Sequence, residues 1–109
     1  MKNSFDEKIL EEASDWLSSK QNVVLATVIQ TWGSSPRPIG SRMIVNGKGD
    51  FSGSVSGGCV EASVVRECLY LLKEKKYCKK IEFKISNESA WGVGLACGGE
   101  IEIFLEQIN

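Results

Sequence analysis

Apolar and polar positions follow two different periods along this chain, and the change of period marks its elements. Phe5, Ile9, Leu10, Ala13, Trp16 and Leu17 recur three or four residues apart, which predicts an amphipathic helix over about residues 5–20. Ser4-Phe-Asp-Glu7 has the spacing of a capping box at its start. Val23 to Ile29 is an unbroken, mostly β-branched run, so it reads as a strand buried on both faces near the centre of a sheet. Residues 43–45 and 51–55 flank Asn46-Gly-Lys-Gly-Asp50, the pattern of a β-hairpin with a loop of several residues. Val60, Val64, Cys68, Leu71 and Leu72 return to helical spacing, with Lys73, Lys75 and Lys76 at the negative end of a helix over about residues 60–75. Lys80-Ile-Glu-Phe-Lys-Ile-Ser86 alternates as a half-wet strand, and Glu100-Ile-Glu-Ile-Phe-Leu105 is a last one. The expectation is a mixed α/β fold: a single small domain with a mixed β-sheet of about five strands and two main helices. The strand, helix, strand order over residues 51–85 permits a right-handed crossover and hence predicts a parallel pair.

The chemistry gathers in the segments between these elements. Gly53-Ser-Val-Ser-Gly-Gly-Cys-Val-Glu61 delivers glycines and a thiol to a helix N-terminus, where unpaired amides and the helix dipole favour an anion and the thiolate of Cys59. The structural alternative is a tight turn at Gly57 and Gly58 with Cys59 as a small buried residue. In the segment 31–42, Pro36 and Pro38 bracket Arg37 and stiffen the backbone that carries its guanidinium. Flanked by Ser34, Ser35 and Ser41, Arg37 suits a phosphate; the alternative is a solvated surface loop. Because the hairpin folds the chain back, these two segments are expected to meet at one edge of the sheet. A third segment, Trp91-Gly-Val-Gly-Leu-Ala-Cys-Gly-Gly99, mirrors the pairing of a thiol with two glycines through Cys97, Gly98 and Gly99. Glu61, three residues after Gly58, either accepts from a backbone donor in the first helical turn or faces a ligand as a carboxylate. Cys68 and Cys78 read as inert, one inside a helix and one in a connector.

Composition narrows the functional classes. With 109 residues the chain supports one modest core, marginal enough that self-association is expected. Its 13 basic and 14 acidic side chains nearly cancel and are spread along the chain, which argues against nucleic acid as a partner. No apolar run approaches the ~20 residues of a membrane span, so the chain reads as a soluble cytoplasmic protein with reduced thiols. There is no histidine and no CxxC pair among its four cysteines, which argues against a Cys/His zinc site and removes His-dependent triads.

Taken as a set, Gly33-Ser-Ser-Pro-Arg-Pro-Ile-Gly40 and the two cysteines joined to Gly-Gly pairs resemble the N-terminal domain of the XdhC/CoxI family, accessory factors of xanthine dehydrogenase and related molybdenum hydroxylases. The matching segments are residues 33–45, 53–61 and 95–103. The resemblance implies a protein that transiently binds molybdenum cofactor, assists its sulfuration and hands it to a hydroxylase apo-enzyme, more a chaperone than a turnover enzyme. Gly58, Cys59, Glu61, Cys97 and Gly98 carry over as motif positions. On this reading Arg37, Ser34, Ser35 and the amides of residues 57–59 hold the phosphate or diphosphate of a mono- or dinucleotide molybdopterin. Gly98 and Gly99 line the same site, and Cys59 and Cys97 are the candidate ligands to molybdenum. Cys59, Cys97 and Glu61 are the candidate catalytic groups. Trp32 and Trp91 are candidates to stack on the pterin or to cap the core.

Many family members continue into a Rossmann-like domain. Residues 1–109 are expected to form one XdhC/CoxI-like domain without it, which fits a naturally short member, half of a split pair or an excised domain. The partners expected are then the apo-enzyme, a cysteine desulfurase, a separate Rossmann-like domain and a second copy in a dimer. Two other functions fit the same residues: a persulfide carrier or thiol redox protein using Cys59 with Cys97 as resolving thiol, and a non-catalytic interaction module.

Overall fold

The computed structural model describes residues 4–32, 38–56, 58, 60–85 and 99–108. In chain order they form α1 (Ser4–Ser18), β1 (Val23–Trp32), β2 (Arg42–Asn46), β3 (Phe51–Gly53), α2 (Glu61–Lys73), β4 (Cys78–Ile85) and β5 (Gly99–Ile108). The strands make one sheet in the order β3-β2-β1-β5-β4. β1 is the middle strand, as its unbroken apolar run requires. Val24, Ala26 and Val28 point into a core shared with Val64, Cys68 and Leu71 of α2. Val23 and Leu25 point the other way, against Ile9, Ala13, Trp16 and Leu17 of α1. The sheet is therefore packed between the two helices, and a polar residue at any of these β1 positions would lose its hydration.

Every pairing in the sheet is antiparallel. The expected parallel pair of β3 and β4 does not form, so the sheet is antiparallel where a mixed one was expected. The two strands do run in the same direction, but β2, β1 and β5 lie between them. The long pairing of β5 along β1, from Ile108 opposite Val23 to Glu100 opposite Trp32, gives β4 an antiparallel partner on the opposite side of the sheet from β3. β4 then pairs with β5 and becomes an edge.

Both helices end earlier than the periodicity suggests, by about one or two residues, at a lysine in the left-handed conformation: Lys20 at φ 61° and Lys75 at φ 56°. The amides that follow close each end, Gln21 donating to the Trp16 carbonyl and Lys76 to that of Leu71, both at 3.0 Å. Leu10 falls at the margin of the apolar stripe of α1 and stays half exposed. At the hairpin, Asn46 is buried and uses its whole amide. Its Nδ2 donates to Gln21 Oε1 at 2.9 Å and to Asp50 Oδ2 at 3.3 Å, and its Oδ1 accepts from the amides of Lys48 and Asp50. That explains why the Asn-Gly signal marks a real turn and also ties it to the end of α1. No helix among the described residues is long and apolar enough to cross a membrane.

Gly53 ends β3 at φ +92°, and a Cβ there would lie 2.5 Å from the Arg42 carbonyl oxygen, 2.7 Å from Ile9 Cδ1 and 2.9 Å from Met43 Cα. Gly58 also has a positive φ, +110°, but no described residue lies within 4 Å of a Cβ there. Gly53→Ala is therefore expected to cost about 2–4 kcal/mol from backbone strain and overpacking together, against about 1–2 kcal/mol for Gly58→Ala from strain alone. Urea midpoints at constant slope measure both; equal losses would mean that the contact at Gly53 relaxes freely.

Candidate functional site

Three segments singled out in the sequence leave the sheet at the same end. Residues 33–41 leave β1 after Trp32 and re-enter at Arg42; 54–60 run from the end of β3 to the start of α2; 86–98 run from the end of β4 to the start of β5. The register places these anchor points in two groups along β1: Trp32 lies opposite Glu100 with Ile85 opposite Gly99, and five residues back, where Arg42 pairs with Thr27, Met43 lies opposite Gly53. The first two segments are joined directly, because the Ser54 amide donates to the Arg42 carbonyl at 3.1 Å. The returning limb of the Arg37 segment is held on β1, with the Gly40 amide donating to the Val28 carbonyl at 2.8 Å and the Val28 amide to the Ser41 carbonyl at 2.9 Å. A register shift follows between Val28 and Gln30, where β1 parts from β2 and continues beside β5.

Glu61, the first residue of α2, is buried and turns its carboxylate back into the preceding loop. Oε2 accepts from the Ser54 hydroxyl at 2.8 Å, the Val55 amide at 3.0 Å and the Ser56 amide at 2.9 Å. Oε1 accepts from the Ser56 hydroxyl and from the Gly58 amide at 2.9 Å. The Ser56 oxygen in turn accepts from the Val60 amide at 2.9 Å. Val60, at the N-cap position, makes no side-chain cap hydrogen bond; the donors that Glu61 and Ser56 satisfy belong to the loop and to Val60 itself.

Among the sequence candidates, Gly58 gives its amide to Glu61, and Glu61 is saturated by loop donors. Gly99 is the first residue of β5, opposite Ile85. Cys59 stands in the chain between Gly58 and Val60. Together with Ser34, Ser35, Arg37, Gly57, Trp91, Cys97 and Gly98, it lies outside the described residues. Trp32 ends β1 with its side chain 43% exposed. Cys68 is fully buried, and burial first, then the Glu67 charge, push its thiol up to about 12, which makes it inert. Cys78 is exposed and opens β4 rather than lying in a connector. Among the described residues no three Cys, Asp or Glu gather to hold a metal. Two donors that sequence reasoning gave little weight are Ser41 Oγ and Arg42 Nε, both buried without a hydrogen-bond partner among the described residues. Ser54 and Ser56 were not singled out either; the signal for them is Glu61 itself, an acidic residue starting a helix after a Ser-rich turn.

The model of the XdhC and CoxI family matches residues 16–82. The chain is 35% identical over 102 residues to a molybdenum cofactor insertion chaperone, PaoD, of Escherichia coli, covering 93% of this chain and 31% of that protein. It is 34% identical over 95 residues to a protein of Bacillus subtilis described as a probable subunit of xanthine dehydrogenase, covering 85% of this chain and 28% of that one. The chain thus spans about a third of the length of these curated relatives. A crystal structure described as a xanthine dehydrogenase from Bacillus halodurans superposes with a TM-score of 0.75 at 29% identity, over 91% of this chain and 30% of that one.

Burial pushes the Glu61 carboxyl up, but the Ser56 hydroxyl and amide, the Ser54 hydroxyl and the Val55 amide outweigh it and lower the pKa from 4.5 to about 2. Between those values the unfolded chain binds the proton and the folded one does not. The stabilisation is therefore complete above about pH 4.5 and is lost as pH falls to about 2, to the extent of about 3 kcal/mol. Urea unfolding from pH 6 to about pH 2 is expected to show this loss in the wild type and a flatter profile in Glu61→Gln. Identical slopes in the two proteins would contradict the hydrogen-bonded carboxylate.

Proposed function

The chain belongs to the XdhC and CoxI family, and on that footing we propose that it takes molybdenum cofactor as cargo, assists its sulfuration and passes it to a xanthine dehydrogenase-type apo-enzyme. The observation that carries the reading is the common end of the sheet: the segments bearing Arg37, Cys59 and Cys97 are all anchored there. The names of the relatives point the same way, one being a cofactor insertion chaperone and another a probable subunit of xanthine dehydrogenase. Cargo with a phosphate or diphosphate suits the Arg37 segment with Ser34 and Ser35, and Ser41 Oγ and Arg42 Nε at its base, without partners among the described residues, fit an anionic ligand. Gly57, Gly98 and Gly99 would let the backbone approach the cargo closely.

The cargo supplies an electrophilic molybdenum that soft thiolates suit, and Cys59 and Cys97 are the thiols available for it. Glu61, already bonded to the loop, shapes the site in this reading rather than moving a proton. The protein would work in the cytoplasm on transiently held cofactor, in the mono- or dinucleotide form. Its partners would be the apo-enzyme, a cysteine desulfurase as sulfur source, a Rossmann-like domain and a second copy in a dimer.

Protein made in a cofactor-competent host, or reconstituted anaerobically, is expected to release pterin that fluoresces after oxidation. A Cys59→Ser/Arg37→Ala double variant should hold at least about tenfold less. Equal retention by the two proteins would remove this site. Absence of pterin together with a one-sulfur mass gain on Cys59 would replace it with a persulfide carrier.

A further inference from the structure

Glu61 has no free acceptor left. A carboxylate offers about four lone-pair positions, and two hydroxyls and three amides already converge on this one. It cannot accept a proton from a substrate without first releasing the loop. The amides of Val55, Ser56 and Gly58 point inward to it, and the Val60 amide points to the Ser56 oxygen. These are the donors that a glycine-rich loop before a helix would otherwise turn toward a phosphate. The residues on either side of Cys59 are held in the same way, Gly58 by Glu61 and Val60 by Ser56.

We propose that Glu61 is a positioning residue: its carboxylate fills, from within the chain, the anion place of the glycine-rich loop, so that the loop does not bind phosphate and the backbone on either side of Cys59 is fixed. The inference rests on the cargo reading for what Cys59 meets, and on the hydrogen bonds alone for how its neighbours are held. It divides the labour at the site, leaving the anionic part of a ligand to the Arg37 segment and giving the 54–60 loop the thiol. It also means that the loop is formed before any ligand arrives, so less ordering entropy is lost on binding.

The test uses the full chain, with amide spectra and peptide-resolved alkylation by iodoacetamide. Cys78, exposed at the far end of the sheet beside Glu106, serves as the internal reference. In the wild type, inorganic phosphate should leave the Val55, Ser56 and Gly58 amide resonances unmoved. In Glu61→Gln those resonances should shift, and the Cys59 alkylation rate should change by at least about threefold while that of Cys78 holds. If Glu61→Gln does not fold, Ser56→Ala, which keeps the carboxylate and removes the hydroxyl that links it to Val60, should alter Cys59 reactivity in the same direction and to a smaller extent. Phosphate moving the wild-type loop amides, or Cys59 reacting at the wild-type rate in whichever variant folds, would overturn the proposal. Pterin-free wild-type protein that still shows the Glu61→Gln response would retire the cargo reading and leave this one standing. Pterin retention with unaltered Cys59 reactivity would do the reverse.

Discussion

A buried carboxylate without partners is costly, and so is a turn of buried amides without acceptors. At Glu61 each problem solves the other. Five donors from Ser54, Val55, Ser56 and Gly58 meet two oxygens on the first residue of α2, and these charge-assisted hydrogen bonds fix the loop together with Val55 and Val60, which pack into the core. Residues 54–60 are too rich in glycine and serine to hold a conformation by themselves. The clamp also places a negative charge at the positive end of the helix, where it is favourable. The backbone on either side of Cys59, at Gly58 and Val60, depends on that arrangement.

The sheet gives the clamp its setting. Antiparallel pairing puts the end of β1, the start of β2, the end of β3, the end of β4 and the start of β5 on one side, where 33–41 and 86–98 return to the sheet and 54–60 enters α2. The other end carries the hairpin turn built on Asn46 and the exposed Cys78. Structure and chemistry are thereby separated along the strands: turn hydrogen bonds close one end, while the segments that carry Arg37, Cys59 and Cys97 are anchored at the other. A narrow three-layer domain sustains this only because β1 is buried on both faces and fixes the frame.

How much of this was legible depended on the range of the interaction. The run from Val23 announces a central strand because no other environment suits so many adjacent apolar residues, and the helices announce themselves through Ile9, Ala13, Val64, Cys68 and Leu71. Their C-terminal limits were harder to read, since Lys20 and Lys75 take the left-handed place usually marked by glycine. Strand neighbours were misread because a helix between two strands fixes their direction but not what lies between them. At the site, the three-residue spacing from Gly58 to Glu61 revealed one of the five donors. The other four come from Ser54, Val55 and Ser56, and they meet the carboxylate only once the loop has folded back over it.

The proposed function depends on convergence: the segments that carry Cys59 and Cys97 are both anchored at one end of the sheet. A short bifunctional thiol reagent such as dibromobimane measures it most directly, applied to the reduced full chain and mapped by peptide mass. The account predicts an intramolecular bridge between Cys59 and Cys97, with Cys78 left out of it. Bridges from Cys97 to Cys78, or singly modified Cys59 and Cys97 that never join, would contradict it.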